Sequence, residues 1–423
     1  MWRTVLLGSL LGLASLADPL QAQHPEPPRL LDDIRFLSDD RLQGRMTGSG
    51  GADSAAAYLA RRFSQVGLQP AAGGWFQTFS VGREAPAAKQ AQTGPLVGKN
   101  VIGILPGRDP ELRNQTIILG AHYDHLGLGG FGSLDHDSTG QVHNGADDNA
   151  SGAAALIQVA ARLAASPPAR TVVFIAFSGE ELGLLGSAYY VKQPIYPLAS
   201  TLAMVNLDMV GRLRNGRLIV YGARSAEEFP ALLDSLNWYA GFDLKAQGDG
   251  YGPSDQSSFY AAKRPVLHLF TDLHEDYHRT TDDWQKVNYD GLKRVADFSL
   301  GLVTALANRT KPLTFLELPA PTASQMAPAS GTPGYGAYLG TVPDMTGTPG
   351  GVRLVGVRAG SPAEKAGLRG DDIITRIGSK ETPDLQAMTD ALRSHKPGDV
   401  VKILVRRGAT VTTLQATLGL RGG

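Results

Sequence analysis

The chain has 423 residues, no cysteine, and 40 Lys and Arg residues against 40 Asp and Glu residues. This length predicts more than one folded unit, and the balanced charge excludes a global electrostatic attraction to nucleic acid or to an anionic membrane. Because cysteine is absent, the protein has no disulfides, and any metal site must use imidazole and carboxylate ligands.

The first segment, "MWRTVLLGSLLGLASLADPLQAQ", combines one arginine with an apolar and small-residue stretch from Val5 to Ala17. This pattern predicts a cleavable signal peptide over residues 1–22, with cleavage after Ala22. The stretch is shorter than the roughly 20 residues of a membrane-spanning helix. We therefore expect an exported bacterial protein, periplasmic or secreted, that has no stable membrane anchor after signal cleavage.

From residue 28 to residue 308, apolar runs alternate with amphipathic stretches. The runs are "NVIGILPG", "TIILGAHYD", "TVVFIAFSGEE", "LAMVNLDMVG", "RLIVYGA" and "PVLHLFT". Near-continuous Val, Ile and Leu indicate strands that are buried on both faces. The pattern predicts an α/β fold in which helices flank a largely parallel sheet, with functional residues at the carboxyl ends of the strands.

Polar side chains follow several of these predicted strands. A single such residue is usually a satisfied polar group, but their recurrence at corresponding strand ends indicates a site. Zinc accepts both imidazole nitrogen and carboxylate oxygen, and a catalytic zinc site leaves a position open for water. The strand-end residues are His122, Asp124, Glu180, Glu181, Asp208 and His278.

The segment "HNGADDNASG", residues 143–152, concentrates carboxylates just before an apolar helical pattern. Asp and Asn favour turns and helix N-caps, so the segment alone is equally consistent with a capping loop. Together with the motifs "GAHYDHLG", "FSGEELGLLGS", "NLDMVG" and "DYHRTTDD", in chain order, it resembles the di-zinc aminopeptidase family, which includes bacterial and yeast aminopeptidases and glutamate carboxypeptidase. The resemblance implies a zinc exopeptidase fold with two Zn²⁺ per chain.

The resemblance also implies a role for each matching residue. His122 and Asp208 would hold one zinc, Glu181 and His278 the other, Asp148 would bridge both ions, and Glu180 would be the general base. The peptide bond from Asp148 to Asn149 would be cis, and Tyr277 would donate a hydrogen bond to the oxyanion.

Geometry adds two expectations for this site. His122 and Asp124 are two residues apart on a strand and face the same way, so Asp124 is expected to accept the second ring proton of His122 instead of binding metal. Glu180 and Glu181 are neighbours that point in different directions, so one can bind metal while the other reaches the water.

Several other residues in this region are not assigned to the metals. Asp147 is interpreted as a structural turn residue. Gln256 stands where relatives often have histidine in an "SDH" motif, which puts pocket contacts in doubt but not the metals. Five histidines have no matching ligand role and are interpreted as structural or as neighbours of ligands: His125, His136, His143, His268 and His274.

The chain beyond residue 308 changes character. Residues 309–334 are rich in Pro, Ala, Ser and Thr and predict a linker, which separates the peptidase domain at 28–308 from a second domain at 335–420. This second domain resembles a PDZ domain of the bacterial periplasmic-protease type, which implies a small, partly open β-barrel. In it "GAYLG", with Tyr338, Leu339 and Gly340, would receive the carboxylate of a peptide or protein C-terminus.

These patterns predict an exported zinc aminopeptidase that acts on peptides and whose PDZ domain binds a peptide or partner. Three alternatives stay open at this point. The metal motifs do not distinguish an aminopeptidase from a carboxypeptidase or dipeptidase. A single-zinc cyclase of N-terminal glutamine shares the fold and most ligands. A non-catalytic PDZ binding protein is the third.

Overall fold

The computed structural model describes residues 29–82, 88, 96–130, 132–135, 138–317, 337–343, 348, 350–357, 361–383, 387–388, 391–392 and 394–419. The predicted signal peptide, residues 1–22, and most of the predicted linker lie outside these ranges. Among the helices of the described residues, none combines the length and apolar character needed to cross a bilayer.

The first unit is built on a nine-stranded sheet, and all six strands predicted from the apolar runs are present. The strand order is β1-β3-β5-β4-β6-β9-β7-β8, and β2 pairs with β3. The strands are β1 Gln69–Pro70, β2 Phe76–Val81, β3 Leu96–Leu105, β4 Thr116–His122, β5 Thr171–Phe177, β6 Thr201–Leu207, β7 Arg217–Tyr221, β8 Asp243–Gln247 and β9 Val266–Phe270.

The predicted α/β class is confirmed, but the sheet is mixed. The four central strands, β5-β4-β6-β9, are parallel to one another. The pairings of β3 with β1, β2 and β5, and of β7 with β9, are antiparallel, and β7 pairs with β8 in parallel. Because the central strands are parallel, their carboxyl ends lie along one edge of the sheet, where sites form in such folds.

Helices cover both faces of this sheet. Alternate residues of β5 point to opposite faces, so Val172 and Phe174 join one apolar cluster while Val173 and Ile175 join another. All four side chains are fully buried, which explains why the strand is an uninterrupted apolar run. The helices of this unit are α1 Leu30–Leu37, α2 Gly50–Gln65, α3 Gly152–Ala164, α4 Leu185–Lys192, α5 Phe229–Ala240, α6 Gln256–Ala261 and α7 Tyr289–Asn308.

The second unit is a six-stranded antiparallel sheet with its own apolar core. The strand order is β10-β11-β12-β14-β15, with β13 paired to β12, and the core contains Leu339, Leu354, Ile374 and Ile403. Its elements are β10 Thr341–Pro343, β11 Val352–Val357, α8 Pro362–Lys365, β12 Ile373–Ile377, β13 Lys380–Glu381, β14 Val400–Arg407 and β15 Thr410–Thr417.

The first residues of the predicted linker, 309–334, contact the first unit. Phe315 forms an isolated β-bridge with Ala226, and its ring lies 5.4 Å from that of Tyr260. The Leu316 amide donates to Ser225, and its carbonyl accepts from the Tyr260 hydroxyl at 2.9 Å. The first unit therefore extends at least to Leu316, because these contacts give the proline-containing segment apolar and hydrogen-bonding partners.

Candidate metal centre and active site

The candidate site lies at the carboxyl edge of the central strands. His122 is the last residue of β4, Glu180 and Glu181 follow β5, and Asp208 follows β6. The loop that contains Asp148 precedes α3, and His278 lies in the segment between β9 and α7. The fold thus brings together side chains that are up to 156 positions apart in sequence, counted from His122 to His278.

The Asp148 loop has an unusual backbone. The helical turn at Ala146–Ser151 is interrupted at Asp148 and Asn149, whose φ/ψ angles are not helical, and the Asp148–Asn149 peptide bond is cis, as expected. Gly145 enters the turn with φ +53°, and a Cβ at this position would lie 2.1 Å from the Asp148 carbonyl oxygen. Any larger residue would clash with this oxygen, so the conformation of the Asp148 loop requires glycine at position 145.

The Asp148 carboxylate lies between two imidazoles. Its Oδ1 is 3.3 Å from Nε2 of His122, and its Oδ2 is 3.2 Å from Nε2 of His278. His122 Nε2 is also 3.3 Å from Oδ1 of Asp208, while His278 Nε2 is 3.2 Å from Oε2 of Glu181. Two sets of nitrogen and oxygen donors therefore converge, and Asp148 belongs to both.

This donor set fits zinc. Each group contains one imidazole and two carboxylates, which are ligand types that zinc accepts, and Asp148 is 4 % exposed. Buried carboxylates gathered this closely require compensating cations. His122, Asp148 and Glu181 each place one ligand atom within 4.8 Å of the others, and so do His122, Glu180 and Asp208.

The second nitrogen of each imidazole is held by a main-chain carbonyl. His122 Nδ1 lies 3.2 Å from the carbonyl oxygen of Asp124 and 3.8 Å from its carboxylate. The expectation that the Asp124 carboxylate accepts this proton is therefore wrong, because the carbonyl oxygen of the same residue lies closer to Nδ1. His278 Nδ1 lies 2.9 Å from the carbonyl oxygen of Gly132.

The Asp124 carboxylate has other partners. Its Oδ1 accepts the main-chain N–H of Glu180 at 3.2 Å, and its Oδ2 accepts the hydroxyl of Thr47 at 3.0 Å. Asp124 is fully buried. It therefore holds the start of the Glu180–Glu181 pair against the end of β4.

Glu180 and Glu181 differ in their surroundings. Glu181 lies between His278 and His125, whose Nδ1 is 2.7 Å from Oε1 of Glu181. Burial acts to raise the pKa of Glu181, but His278 and His125 outweigh this effect and lower it to about 2. Burial raises the pKa of Glu180 well above its usual value, because the opposing effect of His122 is weaker. Glu180 is thus the carboxylate of the pair with the greater proton affinity.

Similar effects act on the side chains around Asp148. Burial tends to raise the pKa of Asp148, yet hydrogen bonds from His122 and His278 hold it well below the usual range. Burial lowers imidazole pKa values, but the carboxylates raise those of His122 and His278 well above the usual value. The carboxylates of the centre therefore favour positive charge beside them.

Tyr277 and Gln256 lie near this centre in different ways. The ring of Tyr277 stacks on the imidazole of His278, with centroids 3.9 Å apart. Gln256 is fully buried, and its Oε1 accepts from the side-chain amide of Asn206 at 3.3 Å. Gln256 therefore belongs to a buried polar contact beneath the site.

Sequence reasoning missed two buried charged residues beside the Asp148 loop. Arg45 donates to the carbonyls of Asn144 and Gly145, and Asp282 accepts from the N–H groups of Asp147 and Asp148. Asp282 lies within the motif "DYHRTTDD", which offered a signal, whereas Arg45 lies outside the quoted motifs. Their partners are main-chain atoms far away in sequence, which no side-chain pattern encodes.

Three of the remaining unassigned polar residues have structural contacts. Asp147 accepts from the Gly211 N–H at 2.6 Å, and its other oxygen lies 3.1 Å from His274 Nε2, which agrees with a structural turn residue. His143 Nε2 lies 2.8 Å from the hydroxyl of Ser133. His136 lies outside the described residues.

In the predicted carboxylate-binding loop of the second unit, one of the main-chain N–H groups is already hydrogen-bonded within the protein. The N–H of Tyr338 donates to the Gly419 carbonyl at 2.7 Å, and the Gly419 N–H donates back at 2.8 Å. The Tyr338 amide therefore cannot receive a peptide carboxylate, because an end of the sheet already uses it. The prediction stays for Leu339 and Gly340, where Gly340 has φ +82°.

Comparison with known proteins agrees with both units. The model of peptidase family M28 matches residues 100–303, and the PDZ domain model matches residues 337–418. Leupeptin-inactivating enzyme 1 of Streptomyces exfoliatus is 26% identical over 295 residues, which are 66% of this chain and 58% of that protein. Aminopeptidase YwaD of Bacillus subtilis is 26% identical over 236 residues, 51% of this chain and 46% of that protein. The chain thus spans about half the length of these curated relatives.

Solved structures share the fold of the first unit. A Zn-dependent exopeptidase from Parabacteroides distasonis has a TM-score of 0.55 and 19% identity, and covers 67% of this chain and 100% of its own. A glutaminyl cyclase from Bacteroides thetaiotaomicron has a TM-score of 0.54 and 18% identity, and covers 66% of this chain and 98% of its own. The same architecture therefore occurs in proteins whose names give different reactions.

Proposed function

Because residues 100–303 of this chain belong to peptidase family M28 and residues 337–418 form a PDZ domain, we propose that the protein is an exported zinc aminopeptidase. It would remove N-terminal residues from peptides. The observation that carries this proposal is the position of Asp148, whose two carboxylate oxygens face two different imidazoles at 3.3 and 3.2 Å. One shared carboxylate between two donor sets is the arrangement that two-metal hydrolases use.

In this proposal His122, Asp208 and Asp148 hold one zinc, and His278, Glu181 and Asp148 hold the other. The bound ions would supply Lewis acidity for the scissile carbonyl and for a water molecule. This assignment uses each carboxylate once except Asp148. It also agrees with the low pKa of Glu181, about 2, since a ligating carboxylate must be deprotonated.

Glu180 is the proposed general base. It would take the proton of the attacking water and return it to the amine that leaves, which is the usual acid and base cycle of peptide hydrolysis. Its raised pKa supports a group that can gain and lose a proton. Tyr277, stacked on His278, would donate its hydroxyl proton in a hydrogen bond to the developing oxyanion.

The charges around the site favour an aminopeptidase over a carboxypeptidase. A carboxypeptidase needs a cation for the terminal carboxylate of its substrate, commonly an arginine. Arg212, close after Asp208 in the chain, is already ion-paired with Asp276 and donates to the Lys286 carbonyl. With Arg212 engaged by Asp276, we propose that the substrate is held by its N-terminus.

The same geometry favours two ions over the single ion of a glutamine cyclase. A single-zinc site would leave one imidazole and its carboxylate partner without a function in metal binding. Here both imidazoles approach Asp148 at nearly equal distances. We therefore propose two Zn²⁺ per chain, with cyclisation of N-terminal glutamine as the alternative that the experiment below must exclude.

The PDZ domain would bind an extended peptide or protein C-terminus by strand addition. Leu339 and Gly340 would contact the terminal carboxylate. The proposed boundaries are a signal over residues 1–22, a catalytic unit that continues to at least residue 316, and a PDZ domain over 335–420. Export to the periplasm or the medium follows from the predicted signal.

The deciding experiment compares a peptide with a free N-terminus, its N-acetylated form and a glutamine-led peptide, before and after chelation. We expect hydrolysis of the free peptide, loss of activity on chelation, and recovery with zinc. Acetylation deletes the ammonium charge but keeps the scissile bond, so equal turnover of the acetylated peptide would exclude an aminopeptidase. One zinc per chain together with cyclisation of glutamine would establish the alternative.

A further inference from the structure

The amide side of the Asp148 loop is held by one residue. Asp282 accepts three successive N–H groups: its carbonyl oxygen binds Ala146 at 2.9 Å, and its Oδ2 binds Asp147 at 2.9 Å and Asp148 at 3.0 Å. Asp282 is fully buried. A buried carboxylate that accepts main-chain amides fixes the direction of the chain, because moving the loop would leave both partners unsatisfied.

The carbonyl side of the same loop is held by Arg45. Its guanidinium donates to the carbonyl of Asn144 at 2.6 Å and to that of Gly145 at 3.0 Å. Its Nε donates to the carbonyl of Tyr123, the residue after His122, at 2.7 Å, and it also donates to the Leu37 carbonyl. Arg45 is fully buried, so its charge lies inside the protein next to the acidic centre.

Arg45 and Asp282 therefore act on the two polar sides of one stretch of chain. Arg45 binds carbonyls at residues 144–145 and Asp282 binds amides at residues 146–148. Asp282 also lies four residues after His278 and is bonded to that segment through the Arg279 carbonyl at 3.2 Å. The position of Asp148 relative to both imidazoles thus depends on this pair.

A buried arginine and a buried carboxylate at this place lower the stability of the fold unless they make a specific contribution. Burial of an arginine or a carboxylate is unfavourable unless hydrogen bonds satisfy it. The hydrogen bonds of Arg45 go to main-chain carbonyls and those of Asp282 come from main-chain amides, so these bonds do not join the two residues to each other. What they provide in common is the conformation of the loop.

We propose that Arg45 and Asp282 are positioning residues that preorganise Asp148 to bind both zinc ions at once. The inference rests on the proposed function, because it assigns them to the same metal centre. Since one carboxylate serves both ions, a displaced Asp148 should weaken both sites together. Residues that orient metal ligands typically contribute about 10- to 100-fold in metal affinity.

The test measures zinc affinity by competition with a chelator, and zinc stoichiometry, in the full chain. The variants are Asp282→Asn, Asp282→Ala and Arg45→Met. Matched controls come from a buried pair that contacts no proposed ligand, Asp33 and Arg62, whose atoms are 2.7 Å apart. Asp33→Asn and Arg62→Met delete a buried charge of each sign and should lower the melting temperature comparably.

We expect Asp282→Ala to lower the zinc affinity of both sites by about 10- to 100-fold. Asp282→Asn should lower it less, because an amide oxygen can still accept an N–H. The controls should bind zinc like the wild type. Equal zinc affinity in Asp282→Ala and the wild type overturns the inference. So does an equal loss of affinity in the controls, which would show a general effect of stability. If Arg45→Met does not fold, the Asp282 variants decide.

Failure of the proposed function gives a different result. In that case the wild-type protein itself binds no zinc, or binds zinc but does not hydrolyse peptides. The inference fails where the wild type binds two ions and either the Asp282 variants bind them equally well or the controls lose the same affinity. A further readout is the separate measurement of kcat and KM at saturating zinc. We expect kcat to fall and KM to change little, because Asp282 is fully buried and is not proposed to contact the substrate.

Discussion

Replacement of Glu180 by glutamine should abolish most of the activity while leaving the zinc content unchanged. Glutamine has nearly the same size as glutamate but cannot take a proton. A positioned general base contributes about 10²- to 10⁴-fold to the rate, so we expect kcat to fall at least about 10²-fold. At about 1.36 kcal/mol for each factor of ten, this is a loss of about 2.7 kcal/mol or more in transition-state stabilisation.

The structure indicates why the neighbouring variant should behave differently. Glu181 lies 3.2 Å from His278 and 2.7 Å from His125, so Glu181→Gln removes a charge from a proposed metal site. We expect this variant to lose zinc as well as activity. In Glu180→Gln the main-chain bond from residue 180 to Asp124 remains, so the geometry of the pair should be kept.

The assay combines steady-state hydrolysis of a peptide with a free N-terminus and metal analysis of the same purified samples. Because Glu180, His122 and Asp208 each offer a ligand atom within 4.8 Å of the others, Glu180 could instead bind metal. Loss of zinc in Glu180→Gln with retention in Glu181→Gln would show that the two roles are exchanged. Full activity of Glu180→Gln would refute the general-base assignment.

Three further outcomes are expected. Asp148→Ala should remove both zinc ions, because its two oxygens face both imidazoles; retention of one ion by metal analysis would contradict a shared ligand. Truncation after Pro321 should leave short-peptide turnover intact and abolish binding of peptides with free C-termini. Truncation after Lys311 also removes the packed Phe315 and should lower the melting temperature. Loss of turnover in a folded, zinc-loaded Pro321 truncation would mean that the PDZ domain helps to build the active site. Hydrogen bonds from Thr280 and Arg279 lower the pKa of Asp135 to about 2, below the value of about 3.9 for an unfolded chain. These contacts therefore stabilise the protein above pH about 4, and this stabilisation is lost as the pH falls toward 2. Thermal unfolding of metal-free Asp135→Asn should therefore show a lower Tm than wild type at pH 7 and a smaller difference near pH 3, and a constant difference would contradict this reasoning.

Much of the first unit could be predicted because its strands are buried on both faces. A strand such as β5 must be apolar at every position, and this leaves an unmistakable run in the sequence. The strand-end polar residues stand out against these runs. The order of motifs then pointed to a two-zinc site, and the expected cis bond after Asp148 is present.

The outer parts of the sheet could not be predicted in the same way. Strand direction depends on which strands become neighbours, and β3 and β7 pair antiparallel with β5 and β9. The segment 309–316 is predicted as part of the linker, together with the Pro-, Ala-, Ser- and Thr-rich residues that follow it. Phe315 nevertheless has a bridge partner in Ala226 and an aromatic partner in Tyr260. Composition reports local preference, whereas these pairings depend on surfaces formed elsewhere.

The chemistry of the candidate centre can be read from the amino-acid sequence, because imidazoles and carboxylates are side chains. How that centre is held depends on the folded chain. The partners of His122 Nδ1, Arg45 and Asp282 are main-chain carbonyls and amides, which every residue has, so no residue type marks them. Their roles arise when distant segments fold together around buried groups that water can no longer satisfy.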